Sequence, residues 1–147
     1  MTATFDRKTW MGILAQAPAQ DLCRLWSDLG FSPKYTWLRA PEIGAAMVRG
    51  RAGGTGAPFN LGEVTVTRCS LQLEGGQVGH AYVQGRDEAK AMQAALVDAM
   101  MQTEMAGPLT QLLLEPLAAD RMAAQRARAS KAAATKVDFF TMARGED

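Results

Sequence analysis

Apolar residues along the first thirty positions recur at helical spacing. Trp10, Ile13, Leu14 and Ala17 form one run, and Leu22, Leu25, Trp26 and Leu29 form a second. Pro18 separates them and Gly30 follows the second, so the pattern predicts a helical hairpin. From Lys34 the texture changes. Tyr35-Thr36-Trp37 precedes Pro41, and a second extended stretch runs from Ile43 to Arg51, which predicts two short strands.

Between Val64 and Val83, β-rich residues flank Glu74-Gly75-Gly76-Gln77, and a Gly-Gly pair readily supplies the positive φ of a two-residue hairpin turn. With Gly75 and Gly76 as that turn, Leu73 pairs with Val78, Leu71 with His80 and Cys69 with Tyr82, all on the expected core face. Val64 and Val66 have the opposite parity. A bulge near Thr67 or Arg68 reconciles them, and a strand buried on both faces is the alternative.

Asp87 is placed to cap a helix running to about Met105, with Met92, Leu96, Ala99 and Met100 as its apolar stripe and Gly107-Pro108 as its end. Leu112 to Leu117 is interrupted by Pro116. A last helix is expected from about Ala119 to Thr135, rich in Ala, Gln, Arg and Lys. Its cations Arg121, Arg126, Arg128, Lys131 and Lys136 have no acid among them, and Met122 is its one bulky apolar residue. Val137-Asp138-Phe139-Phe140-Thr141-Met142 then reads as an extended apolar arm, a kind of segment rarely left bare in solvent. The fold class expected is α+β: an N-terminal helical hairpin, an antiparallel sheet of three to four strands, C-terminal helices and the arm, in one domain over residues 1–147.

Composition narrows the function classes. The 147 residues are 48% hydrophobic, enough for one packed core. A net charge of +1 gives no global basic field, which argues against non-specific nucleic-acid binding. No window is long and apolar enough for a bilayer, and the start lacks a leader pattern, so a cytoplasmic protein is expected. Cys23 and Cys69 lack CxxC spacing, so neither a disulfide framework nor a structural zinc site is expected.

Several short strings, in order along nearly the whole chain, carry a family resemblance: Trp10-Met11, Arg51-Ala52-Gly53-Gly54-Thr55-Gly56, Thr67-Arg68, Val83-Gln84-Gly85-Arg86-Asp87, Asp98-Ala99-Met100-Met101-Gln102, Asp120-Arg121-Met122, and Val137 to Met142 followed by Arg144-Gly145. Together they resemble the PhnG family. The resemblance implies a subunit of the bacterial carbon-phosphorus lyase core complex, accompanied by PhnH, PhnI and PhnJ subunits and working with a PhnL protein. It further implies a reaction in which a phosphonate displaces adenine from ATP, giving a ribose 1-phosphonate 5-triphosphate. PhnI is then the expected catalytic partner, and PhnJ-type radical chemistry later cleaves the carbon-phosphorus bond. ATP enters as a substrate of the complex, with no cofactor held by this chain alone.

The residues themselves supply contact candidates and no complete catalytic set. Gly53, Gly54, Thr55 and Gly56 can offer backbone amides to a phosphate, but they lack the GxxxxGK[ST] spacing and first read as a turn. Arg51, Arg68 and Arg86 are candidates for an anion site, against the alternative of solvated surface arginines. His80, the one histidine, reads as a core or rim residue opposite Leu71 rather than a general base. No paired carboxylates, Ser-His-Asp set or metal-ligand cluster assembles from the sequence. Arg121 and Arg128 on the last helix, with Phe139, Phe140 and Met142 on the arm, are the candidates for docking a partner. The expectation is an accessory subunit, inactive alone. The alternatives are a small stand-alone nucleotide- or phosphonate-binding protein or enzyme, and a homo-oligomer that exchanges its arm between copies.

Overall fold

The computed structural model describes residues 4–137, so the arm residues Phe139, Phe140 and Met142 lie outside the described part. The architecture is α+β. Helices α1 (Arg7–Gln16) and α2 (Ala19–Leu29) come first, as the spacing predicts. The Asp6 carboxylate caps α1 by accepting from the Thr9 N–H, and Gly30 closes α2 in the left-handed region at φ 67°.

Strands β1 (Tyr35–Arg51), β2 (Pro58–Leu73) and β3 (Val78–Gln84) form an antiparallel sheet in the order β1-β2-β3. The two short strands expected before residue 52 are one strand of 17 residues that runs through Pro41. Proline is tolerated there because β1 is an edge strand, and because the register shifts between Trp37 and Arg39 and again between Arg39 and Glu42. These irregularities sit on β1, and the β2–β3 ladder is unbroken from Val66 to Gln72, so no bulge interrupts it at Thr67 or Arg68. Val66 and Thr67 are instead both buried, on opposite faces.

The β2–β3 turn differs from expectation by one residue. The Leu73 N–H donates to Gln77 O and the Gly76 N–H to Leu73 O, with Gly76 at φ 94°, so the loop has three residues rather than two. Leu71 therefore pairs with Gly79, Cys69 with Ala81 and Arg68 with Tyr82. The shift inverts β3: Gly79, Ala81 and Val83 face the core, while His80 and Tyr82 point outward.

Helix α3 (Glu88–Met100), capped by the Asp87 carboxylate on Lys90 N–H, lies on the inner face of the sheet. Its residues from Gln93 to Met100 are all buried, because α1 and α2 pack against α3 on the flank away from the sheet. Gly79 allows the closest approach of sheet and helix: a Cβ there would run into the Ala95 carbonyl and lie 2.9 Å from the Ala99 Cβ.

Gly107-Pro108 does not end a helix. α3 stops at Met100, and Pro108 falls in the first turn of α4 (Ala106–Leu109), where its missing N–H costs no intrahelical bond. A π turn over Thr110–Leu114 then leads into α5 (Glu115–Ala134). The Glu115 N–H bonds Thr110 O, five residues back, so the helix widens just before Pro116 and continues. Leu109, Leu113, Leu114 and Leu117 close the core, and from Met122 onward every described residue of α5 is exposed.

Candidate functional site

Three regions concentrate chemistry. The first is internal. Asp98, on α3, is fully buried and accepts four hydrogen bonds: from Arg7 Nε at 3.2 Å, Arg7 Nη2 at 2.9 Å, Trp10 Nε1 at 2.8 Å and the His80 backbone N–H at 2.9 Å. Opposite charge and hydrogen bonding compensate its desolvation, and the carboxylate in turn raises the Arg7 pKa. Gln102 supports the cluster by donating to Val78 O at 2.7 Å and Asp98 O at 3.1 Å. With its donors in place, Asp98 ties α1 and β3 to α3. An acid amid Ala94, Leu96, Val97 and Met100 was the available sequence signal, since a buried charge demands partners.

The second region is the far end of the β1–β2 ribbon. β3 pairs with β2 only from Val66 onward, so residues 58–65 of β2 and their β1 partners extend beyond the three-stranded part. At the tip, Gly53 and Gly54 adopt φ of 61° and 79°, and both Thr55 N–H and Gly56 N–H turn back to Ala52 O. A Cβ at Gly56 would meet that same oxygen at 2.8 Å. The glycines are thus explained by backbone geometry, and two of the loop's amides are engaged within it.

The three arginines do not converge. Arg51 is at the tip, opposite Pro58. Arg68 is ten residues along β2 from Pro58, roughly 30 Å at about 3.3 Å per residue. It approaches Glu42 at 3.4 Å, and Arg39 approaches the same carboxylate at 3.7 Å. Arg86 is exposed in the β3–α3 turn, after Gly85 at φ 93°. There Thr67 Oγ donates to Gly85 O at 2.7 Å and accepts from Asp87 N–H at 3.1 Å, fixing the turn.

The third region is the outer face of the sheet. His80, exposed, has Nδ1 at 2.8 Å from Ser70 Oγ on the neighbouring strand, so the inward placement opposite Leu71 does not hold. On the ribbon the strand register sorts side chains by face. Gly44, Ala46, Val48 and Gly50 of β1 lie on the outer side with Phe59, Gly62, Val64 and Val66 of β2. Leu61 is the extra residue at the Val48/Arg49 register shift and lies across Gly50. The ribbon's charges beyond Glu42, which are Arg49, Arg51 and Glu63, fall on the inner side. The outer face opens into a cleft of about 660 Å³ floored by Ala46, Val64 and Val66, walled by Tyr82 and Gln84, and closed by Ala15, Lys90 and Arg128.

Arg121 and Arg128, seven residues apart, share the face of α5 turned to α1: Arg121 lies near Gly12 and Arg128 beside Gln16. Burial lowers the Lys90 pKa, opposed by nearby Asp87, and its ammonium donates to Ala15 O at 2.9 Å. Burial also pushes the Cys69 thiol up to about 11. Among the described residues no group of three His, Cys, Asp or Glu could hold a metal ion, and no helix is long and apolar enough to cross a membrane.

Comparison with known proteins adds two findings. The family model described as phosphonate metabolism protein PhnG matches residues 5–145. A curated relative, the alpha-D-ribose 1-methylphosphonate 5-triphosphate synthase subunit PhnG of Rhizobium meliloti (strain 1021), is 44% identical over 142 residues, covering 97% of this chain and 91% of the relative.

Proposed function

The chain belongs to the PhnG family of phosphonate metabolism proteins, and from that premise we propose that it is a contact subunit of a ribose 1-phosphonate 5-triphosphate synthase. In the proposed reaction a phosphonate oxygen bonds to the ribose C1′ of ATP as the bond from C1′ to adenine breaks. Adenine leaves, and the 5′-triphosphate is retained. The partners are PhnI, PhnH and PhnJ subunits with a PhnL-type protein. PhnI carries the displacement chemistry, and this chain acts by binding and shaping the assembly.

Likeness to a named synthase subunit along almost its full length carries this reading. Its physical support is surface that the described residues leave uncovered: α5 from Met122 onward and the outlying ribbon. A helix whose described residues from Met122 onward are all exposed, with Arg126, Arg128 and Lys131 in no ion pair among the described residues, gains little from its own domain and suits an acidic neighbour.

The test is reconstitution. PhnI, PhnH, PhnJ and PhnL-type proteins are incubated with ATP and methylphosphonate, with and without this chain, and adenine release is measured. Release that requires the chain, together with its co-purification with PhnI, is the expected result. Equal release without it, or failure to associate with folded PhnI, defeats the proposal. Calorimetry of the isolated chain with ATP addresses the stand-alone alternative, which predicts binding.

A further inference from the structure

An amphipathic strand pair normally turns its apolar face to its own core. The β1–β2 ribbon does the reverse over its outlying half. Its outer face, from Val64 to Phe59, carries no charge, and Arg49, Arg51 and Glu63 share the opposite side. On that outer face Leu61 is 62% exposed and Phe59 47%, and no helix of the described residues covers them. The shape is directional. Leu61 lies across Gly50 and, with Val64 and Phe59, forms an apolar ridge along this face.

We propose that this outer face, from Phe59 to the cleft at Val66, is the seat of an apolar segment of a partner subunit that ends in a carboxylate held by Arg128. This rests on the subunit reading above and names the surface that serves it. Charge decides the occupant. Arg128 closes the cleft with no carboxylate in ion-pair range among the described residues. Among the described residues, a second copy packed face to face brings no free acid to that position, because Glu42, the carboxylate on this face, already engages Arg39 and Arg68. A different chain with an apolar ridge and a terminal acid satisfies both ends. Burying Leu61 and Phe59 supplies the water-excluded centre that interface anchors require.

Four versions of the full-length chain are co-expressed with tagged PhnI and with PhnH and PhnJ: wild type, the double variant Phe59→Glu/Leu61→Glu, Arg128→Glu, and Met47→Glu. Met47 is a control, 54% exposed on the inner side of the same ribbon. The double variant is expected to lower recovery at least about tenfold and Arg128→Glu about fivefold, while Met47→Glu stays within about twofold of wild type. Circular dichroism melts show whether each variant is folded. Hydrogen exchange of wild type supplies a readout free of substitutions, with amides of residues 58–64 gaining protection in the complex. Equal recovery of wild type and a folded double variant overturns the proposal, as does unchanged exchange at 58–64. An isolated wild type that is a dimer, made monomeric by the double variant, also overturns it in favour of self-association. A wild type that captures none of the subunits instead refutes the subunit reading itself.

Discussion

Asp98 shows how one residue sets the terms for its neighbours. Its carboxylate is fully buried while Arg7, its ionic partner, is about half exposed, so the desolvation cost falls mainly on the acid. Asp98→Asn keeps the size but presents an amide group to a cluster of donors. It should lower unfolding free energy by about 3 kcal/mol in urea titrations, whereas Arg7→Ala, which leaves Trp10 and His80 donating, should cost about half as much. The thiols diverge for the same reason. Cys69, raised to about 11, should resist iodoacetamide at pH 8 in the native state, while exposed Cys23 is alkylated; mass spectrometry distinguishes the two. Asp6 titrates the other way. Hydrogen bonds from the Thr9 side chain and backbone hold its pKa below the ordinary 3.8. Its contribution is therefore complete above that value and lost as pH falls through the lower native pKa. Asp6→Asn should flatten the acid limb of a stability profile measured below pH 4.

At the scale of elements, Gly79 is the sharpest test of the packing. Gly79→Ala places a methyl against the Ala95 carbonyl and should destabilise by about 2 kcal/mol, read as a lower thermal midpoint. The same strand shows what sequence can and cannot carry. Helical periodicity located α1, α2 and α3, and the Asp87 cap fell where it was expected. Glu74-Gly75-Gly76 is compatible with loops of two or three residues. The choice rests on which glycine takes the positive φ, and that one-residue difference carried His80 from the inside to the outside. Prolines misled for a related reason: Pro41, Pro108 and Pro116 break structure only where an N–H is needed, and an edge strand, a first helical turn and a π turn each remove that need.

Over the whole molecule, the contact candidates spread along surfaces instead of meeting in one pocket. The glycine loop and Arg51 crown the ribbon, Arg68 sits mid-strand beside Glu42, Arg86 lies at a helix start, and Arg121 and Arg128 line the side of α5 next to α1. Sequence spacing supplied the residue types but not this dispersal, because the length of the ribbon depended on β1 continuing through Pro41. The outer face was hidden for the same reason, as its composition appears only once β1 and β2 are set in register. Ending the chain after Met122 removes a stretch exposed throughout its described length. The melting temperature should fall by no more than a few degrees, while recovery with PhnI is lost, the first measured by scanning calorimetry and the second by pull-down.

The ribbon also bears on how the protein is made. Its strands are neighbours in sequence, joined by a short loop, so the hairpin can close from local contacts early in folding. Its uncharged face is then on display before any other chain arrives, with strand edges beyond the reach of β3. Produced in excess of its partners, the chain should accumulate in the insoluble fraction, and co-expression should return it to solution. Balanced supply of the subunits thus becomes a requirement written into a single hairpin.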